Sequence, residues 1–311
     1  MKNLLIILVL LTSFSCNTTT EKESTQVEIE TKNELSTLSA LDELHHRKTL
    51  ARKDKSFQDY IDDSPNRPTE KQKTIYLLPF GNMKPEVKTI IEEEVKYLEI
   101  FFELPIKILD DVPYDEIQDL SKVKTRMISE RTFGYFSKEK GGNIENLREQ
   151  IQATSFIDHY MLDNKPDDAI CVLGITEHDI YNPKYNYLFG SSRTKSGVGL
   201  ISTFRLIDYG ELTTYNIRKI VSKQIVNMFS VKNVKDYDCL LNFHPDKLAL
   251  QRANFQLSPM ALEKLGYNIG FDQKERFEAL EKFWLNEDNP EMVEYYKKCQ
   301  ELINNELDEF K

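Results

Sequence analysis

Two short apolar runs do most to set the fold class of this 311-residue chain. Ile75-Tyr76-Leu77-Leu78-Pro79-Phe80 stops at Gly81, and Ala169-Ile170-Cys171-Val172-Leu173 sits inside a run covering 168–175. Each is too short for a globular helix and is bounded by turn-forming residues, so both are expected to be strands. Pro85 opens a segment with Val87, Ile90, Ile91, Val95, Leu98 and Phe101 on one helical face. Residues 105–109 and 198–204 read as two more strands, with Gly190 and Gly197 in the hairpin region ahead of the second. Helices are expected over 144–156, over 217–231 and from Ser258-Pro259 onward. Strands interleaved with helices give an α/β (α+β) domain of three layers.

The N-terminus has a different character. Lys2 precedes an apolar core, 4–11, followed by Ser13-Phe14-Ser15-Cys16. That core is far short of the roughly 20 residues that span a bilayer, but it suits an export signal. A cysteine after a small residue at the end of such a signal is similar to a bacterial lipobox. Residues 1–15 are therefore read as a signal peptide and Cys16 as the lipidated first residue of the mature chain. Cleavage without lipidation is the competing reading. The polar stretch from Asn17 to Ser24 cannot bury enough apolar surface to order itself, so 16–70 is read as a tether. Within it, 34–53 has Leu35, Leu38, Leu41 and Leu44 at helical spacing, with His45 and His46 expected on a solvated face. Asp62 to Pro68 has the composition of a linker. The expected location is the bacterial cell envelope, at the outer membrane or periplasmic face, with the lipid on Cys16 as the membrane contact.

A net charge of -10 argues against nucleic acid as a partner, because phosphate contacts need clustered Lys and Arg. The four cysteines, Cys16, Cys171, Cys239 and Cys299, have neither disulfide-framework nor zinc-knuckle spacing. Cys171, inside an apolar run, is expected to be a buried hydrophobe. A Cys/His nucleophile pair would need Cys171 or Cys239 beside His159, His178 or His244 in space, which spacing leaves open.

Several ordered segments resemble the archaemetzincins. They are the strand and turn 75–81, the stretch 97–105, and the run Val172-Leu173-Gly174-Ile175-Thr176-Glu177-His178-Asp179-Ile180-Tyr181. The run continues through 186–190 to Ser202-Thr203-Phe204-Arg205-Leu206, and the resemblance covers roughly 74–268. It implies a metzincin-like domain over 71–270, a mixed, twisted sheet flanked by helices, with 271–311 as a C-terminal helical extension. It also implies a helix carrying HExxHxxGxxH, in which three His hold zinc and the Glu is general base. Laid on this sequence, the ligand positions hold Lys223, Asn227 and Asn233; Gln224 replaces the Glu and Ser230 the Gly. The C-x-M turn becomes Cys239-Leu240-Leu241, and the structural-zinc C-x-x-C becomes Leu257-Ser258-Pro259-Met260.

An ammonium repels a dication, and Gln224 cannot take a proton from water at neutral pH. The reading of these residues is a non-catalytic archaemetzincin-like lipoprotein that binds a peptide or partner protein, with no cofactor although the family implies zinc. Tyr185, Tyr187 and Phe189 are expected to wall its cleft, from a loop. The alternative is a metal-dependent peptidase with a displaced or non-zinc site involving Asn227 or His244.

Overall fold

A computed structural model describes residues 41–45, 48, 55–116, 120–129, 147–207, 212–232 and 234–309. The signal and Cys16 lie outside them, as do His46 and Asn233. The described strands are β1 (Thr74–Phe80), β2 (Ile106–Ile108), β3 (Thr125–Ser129), β4 (Leu147–Gln152), β5 (Ala169–Thr176), β6 (Asp179–Asn182), β7 (Tyr185–Leu188), β8 (Gly190–Arg193) and β9 (Val198–Ser202). The helices are α1 (Phe57–Asp62), α2 (Pro85–Phe102), α3 (Ala153–Phe156), α4 (Leu212–Met228), α5 (Lys247–Gln251), α6 (Pro259–Ile269), α7 (Gln273–Asn286) and α8 (Pro290–Glu309).

One sheet runs β2-β1-β5-β9-β8, parallel except for the antiparallel edge strand β8. A second, smaller sheet runs β3-β4-β6-β7. Both predicted central strands are fully buried, and their side chains alternate between two cores. Ile75 and Leu77 face the core shared with α2, α4 and the C-terminal helices. Tyr76, Leu78 and Phe80 face the core shared with α3. The three-layer α/β reading therefore holds.

Four expectations are corrected. The helix expected over 144–156 is mostly the strand β4, in antiparallel register with β3; helix begins only at Ala153 and widens into a π turn over Ile157–Met161. Tyr185 and Tyr187 lie on β7, not in a loop. The helix expected over 34–53 is, among the described residues, a 3-10 turn at Asp42–Leu44 that ends at an extended His45. As part of that third correction, His45 is not on a solvated face: its ring meets Tyr237 and Tyr295 edge-on at 6.3 and 5.8 Å.

The fourth correction concerns Asp62 to Pro68, which does not behave as a linker. Asn66 Nδ2 donates to the Met228 carbonyl at 3.0 Å, and Asn268 Nδ2 donates to the Asn66 carbonyl at 2.9 Å. Just before it, the Tyr60 hydroxyl donates to the Phe229 carbonyl at 2.7 Å. These bonds satisfy the free carbonyls at the C-terminus of α4, which local sequence does not reveal.

Candidate functional site

On α4, Ile220, Lys223, Gln224 and Asn227 follow the i, i+3, i+4, i+7 spacing of one helix face. That face forms one wall of a cleft of about 460 Å³. The opposite wall is β8 with Tyr185 and Tyr187 of β7, and Phe243, His244 and Pro245 close one side. Ser202 N–H donates to the Phe189 carbonyl at 2.9 Å, which sets the phase of the β8–β9 ladder. By the alternation of antiparallel pairs, Gly190 and Ser192 turn their N–H and C=O groups away from β9. Among the described residues, the sheet edge facing the cleft is therefore unpaired by another strand.

Gly190 matters because β8 and α4 approach closely. A Cβ there would sit 3.0 Å from Gln224 Cγ and 3.0 Å from Ile201 Cγ2. The aromatic wall is held from behind by a buried ion pair. Arg205 Nε and Nη2 donate to Asp179 at 2.9 and 2.7 Å, and Gln150 Nε2 donates to the same carboxylate at 2.8 Å. The Arg205 guanidinium then stacks over the Tyr187 ring at 4.1 Å. Asp179 thus opens β6 and anchors the sheet that carries the aromatics. Phe189 is buried in the main core, whereas Tyr185 is exposed at the rim.

The Lys223 ammonium donates to the Asn242 carbonyl. Burial lowers its pKa to about 8, opposed by the nearby Cys239. No carboxylate pairs with it among the described residues. His244 is pushed down to about 4, by burial first and then by the charge of Lys223, so its imidazole is neutral at pH 7. Gln224 Oε1, Asn227 Oδ1 and His244 Nε2 are all buried without a hydrogen-bond partner. Such orphaned acceptors are uncommon in folded proteins, and three sit in this one cleft.

Ser230 adopts φ 69°, the left-handed conformation that favours glycine. It stands at the place where the resemblance puts a glycine. The turn after α4 thus takes its left-handed shape on a serine, whose hydroxyl accepts from Asn66 N–H at 3.1 Å.

No protein-family model matches the chain. Archaemetzincin-2 of Rattus norvegicus is 25% identical over 272 residues, 75% of this chain and 70% of that protein. The archaemetzincin of Pyrococcus furiosus is 22% identical over 203 residues, covering 63% of this chain and 94% of its own length. The chain is a relative of the archaemetzincins. The crystal structure of the Methanopyrus kandleri archaemetzincin superposes with a TM-score of 0.48 at 18% identity, covering 66% of this chain and 99% of that one.

The expectation that the chain has no cofactor is corrected by its archaemetzincin relatives, for which zinc is the metal to expect. The donors at the corresponding positions do not fit a family-type zinc centre. They are an ammonium and amide oxygens, and among the described residues no three His, Cys, Asp or Glu come together. No catalytic step can be derived through zinc from this donor set.

The other histidines are spread out. His178 stacks between Phe80 and Tyr114, at 5.9 and 4.6 Å, and burial lowers its pKa. His159 is exposed. The Cys171 thiol is pushed up to about 12 by burial in β5, and burial also raises that of Cys239. Both thiols therefore stay protonated at neutral pH, unlike an activated nucleophile. Met228 and Phe229 lie in the core and leave the cleft open. Leu257, from the position of the second cysteine pair, is core as well.

His244 is the cleft residue whose place the sequence hid. It enters the cleft because Asn242 staples its loop: Nδ2 donates to the Val234 and Tyr237 carbonyls, and Oδ1 accepts from Cys239 N–H.

Proposed function

We propose that this archaemetzincin relative binds an extended peptide segment in its cleft without hydrolysing it. The observation that carries the reading is a cleft whose strand edge is unpaired among the described residues and whose helix presents Lys223 and Gln224, an ammonium and an amide, to its interior. An extended segment adds to β8 through main-chain hydrogen bonds, while Tyr185, Tyr187 and Phe243 offer apolar surface to its side chains. Gln224 keeps the shape of a glutamate but cannot accept the proton that peptide hydrolysis must move.

The test is a pair of measurements on the same peptide library, with zinc added in one arm. Micromolar binding with no cleavage in either arm is expected. Cleavage that depends on zinc and disappears in Asn227→Ala or His244→Ala would establish the displaced-site peptidase instead.

The envelope location is part of the same proposal, through lipid on Cys16. Radiolabelled palmitate is expected to enter the wild-type chain in a bacterial host and to be absent from Cys16→Ser. Equal labelling of the two would overturn the anchor.

A further inference from the structure

The cleft has a charge character that differs from the rest of the chain. The chain carries 51 acidic residues against 41 basic, yet no Asp or Glu lines the cleft, while Lys223 and Lys232 do. Lys223 is 6% exposed, and its ammonium has spent one of three donors on the Asn242 carbonyl. Beside it stand three orphaned acceptors, Gln224 Oε1, Asn227 Oδ1 and His244 Nε2. Gln224 and His244 are 6% and 9% exposed, so bulk water does not satisfy them freely.

An occupant that answers both features must bring an anion for the ammonium and N–H donors for the acceptors. A neutral sugar supplies no anion, and a cationic side chain would be repelled by Lys223. A peptide bearing a carboxylate supplies both, because its main-chain N–H groups lie alongside. From this we infer that the cleft recognises a peptide carboxylate, held by Lys223, with the neighbouring peptide N–H groups accepted by Gln224, Asn227 and His244. The inference rests on the peptide-binding reading above and names the class of peptide.

Two contacts favour the carboxyl terminus over an internal Asp or Glu as the source. The Tyr187 hydroxyl donates across the cleft to the Pro245 carbonyl at 2.9 Å. Tyr185 meets Phe243 at 5.7 Å. A chain running through the cleft would have to part these contacts, and a chain end would not. With its pKa at about 8, Lys223 is mostly protonated at pH 7 and carries the charge the carboxylate needs.

The experiment uses fluorescence polarisation on the full chain with three fluorescein-labelled pentapeptide pools. All three lack Glu: one free-acid pool without Asp, the same pool as C-terminal amides, and an amide pool with Asp fixed at the centre. The free acids are expected to bind at least tenfold more tightly than the plain amides. Lys223→Met should erase that difference, and Lys223→Arg should preserve most of it. Tight binding by the Asp amides as well would support the carboxylate and assign it to a side chain. Equal binding by all three pools would overturn the carboxylate inference while the peptide reading stands. No binding by any pool would overturn both.

Discussion

Arg218→Met is expected to destabilise the protein by about 3–5 kcal/mol, the range for a buried ion pair that loses one partner. Arg218 is 2% exposed, and its Nε and Nη2 reach the Glu94 carboxylate at 2.8 Å each. Nη2 also reaches Glu287 at 3.0 Å, so one side chain joins α2, α4 and the end of α7. Its guanidinium stands 4.9 Å from the Tyr97 ring centre and 5.1 Å from that of Trp284. Methionine fills comparable space but leaves the carboxylate alone in an apolar surround.

The pH dependence identifies the cause. Glu94 already has a pKa of about 6, because burial outweighs the pull of Arg218. Without the arginine the carboxyl moves further up. The folded chain then keeps a proton that the unfolded chain has released above about pH 4.5. Stability therefore falls as pH rises through that window, by about 1.4 kcal/mol per unit. Adding Glu94→Gln should recover most of the loss and remove the added slope. Urea melts from pH 5 to 8 measure both; a loss under about 1 kcal/mol with no slope would mean the pair is solvated.

Lys223→Met is expected to act in the other direction, stabilising the fold by about 2 kcal/mol at pH 7. A buried lysine whose pKa lies near 8 instead of 10.5 corresponds to roughly 3 kcal/mol of unfavourable burial while charged. The lost hydrogen bond to the Asn242 carbonyl offsets about 1 kcal/mol of the gain. Below pH 8 the folded and unfolded chains both hold the proton, so the cost is fully present. Between pH 8 and 10.5 the folded chain has dropped a proton that the unfolded chain keeps, so wild-type stability rises with pH. The variant should lose part of that rise. Lys219, also near 8 through burial, accounts for the rest. A variant less stable than wild type at pH 7 would contradict this.

Lys223, Gln224 and Asn227 were singled out through the resemblance, and on α4 they lie on the face that lines the cleft. The turn at Ser230 was legible only through the resemblance, since serine carries no mark of a left-handed backbone. The strands β3 and β4 were hidden for a different reason. Arg148 and Glu149 are half-buried and charged, and Gln150 is buried but polar, so no local alternation of apolar residues marks the strand. Asp179 looked like a strand-end residue beside His178, and its role depends on Arg205 and Gln150 arriving from elsewhere in the chain.

The sequence by itself determined the buried central strands and the helix that lines the cleft. Each of these lives in a short window, where apolar spacing and side-chain type decide the outcome. Only the tertiary structure decided that His244 enters the cleft, that Tyr187 bridges its walls and that His45 docks between Tyr237 and Tyr295. Those placements depend on long-range closure of the chain, whose free energy is summed over the whole core and written in no single segment.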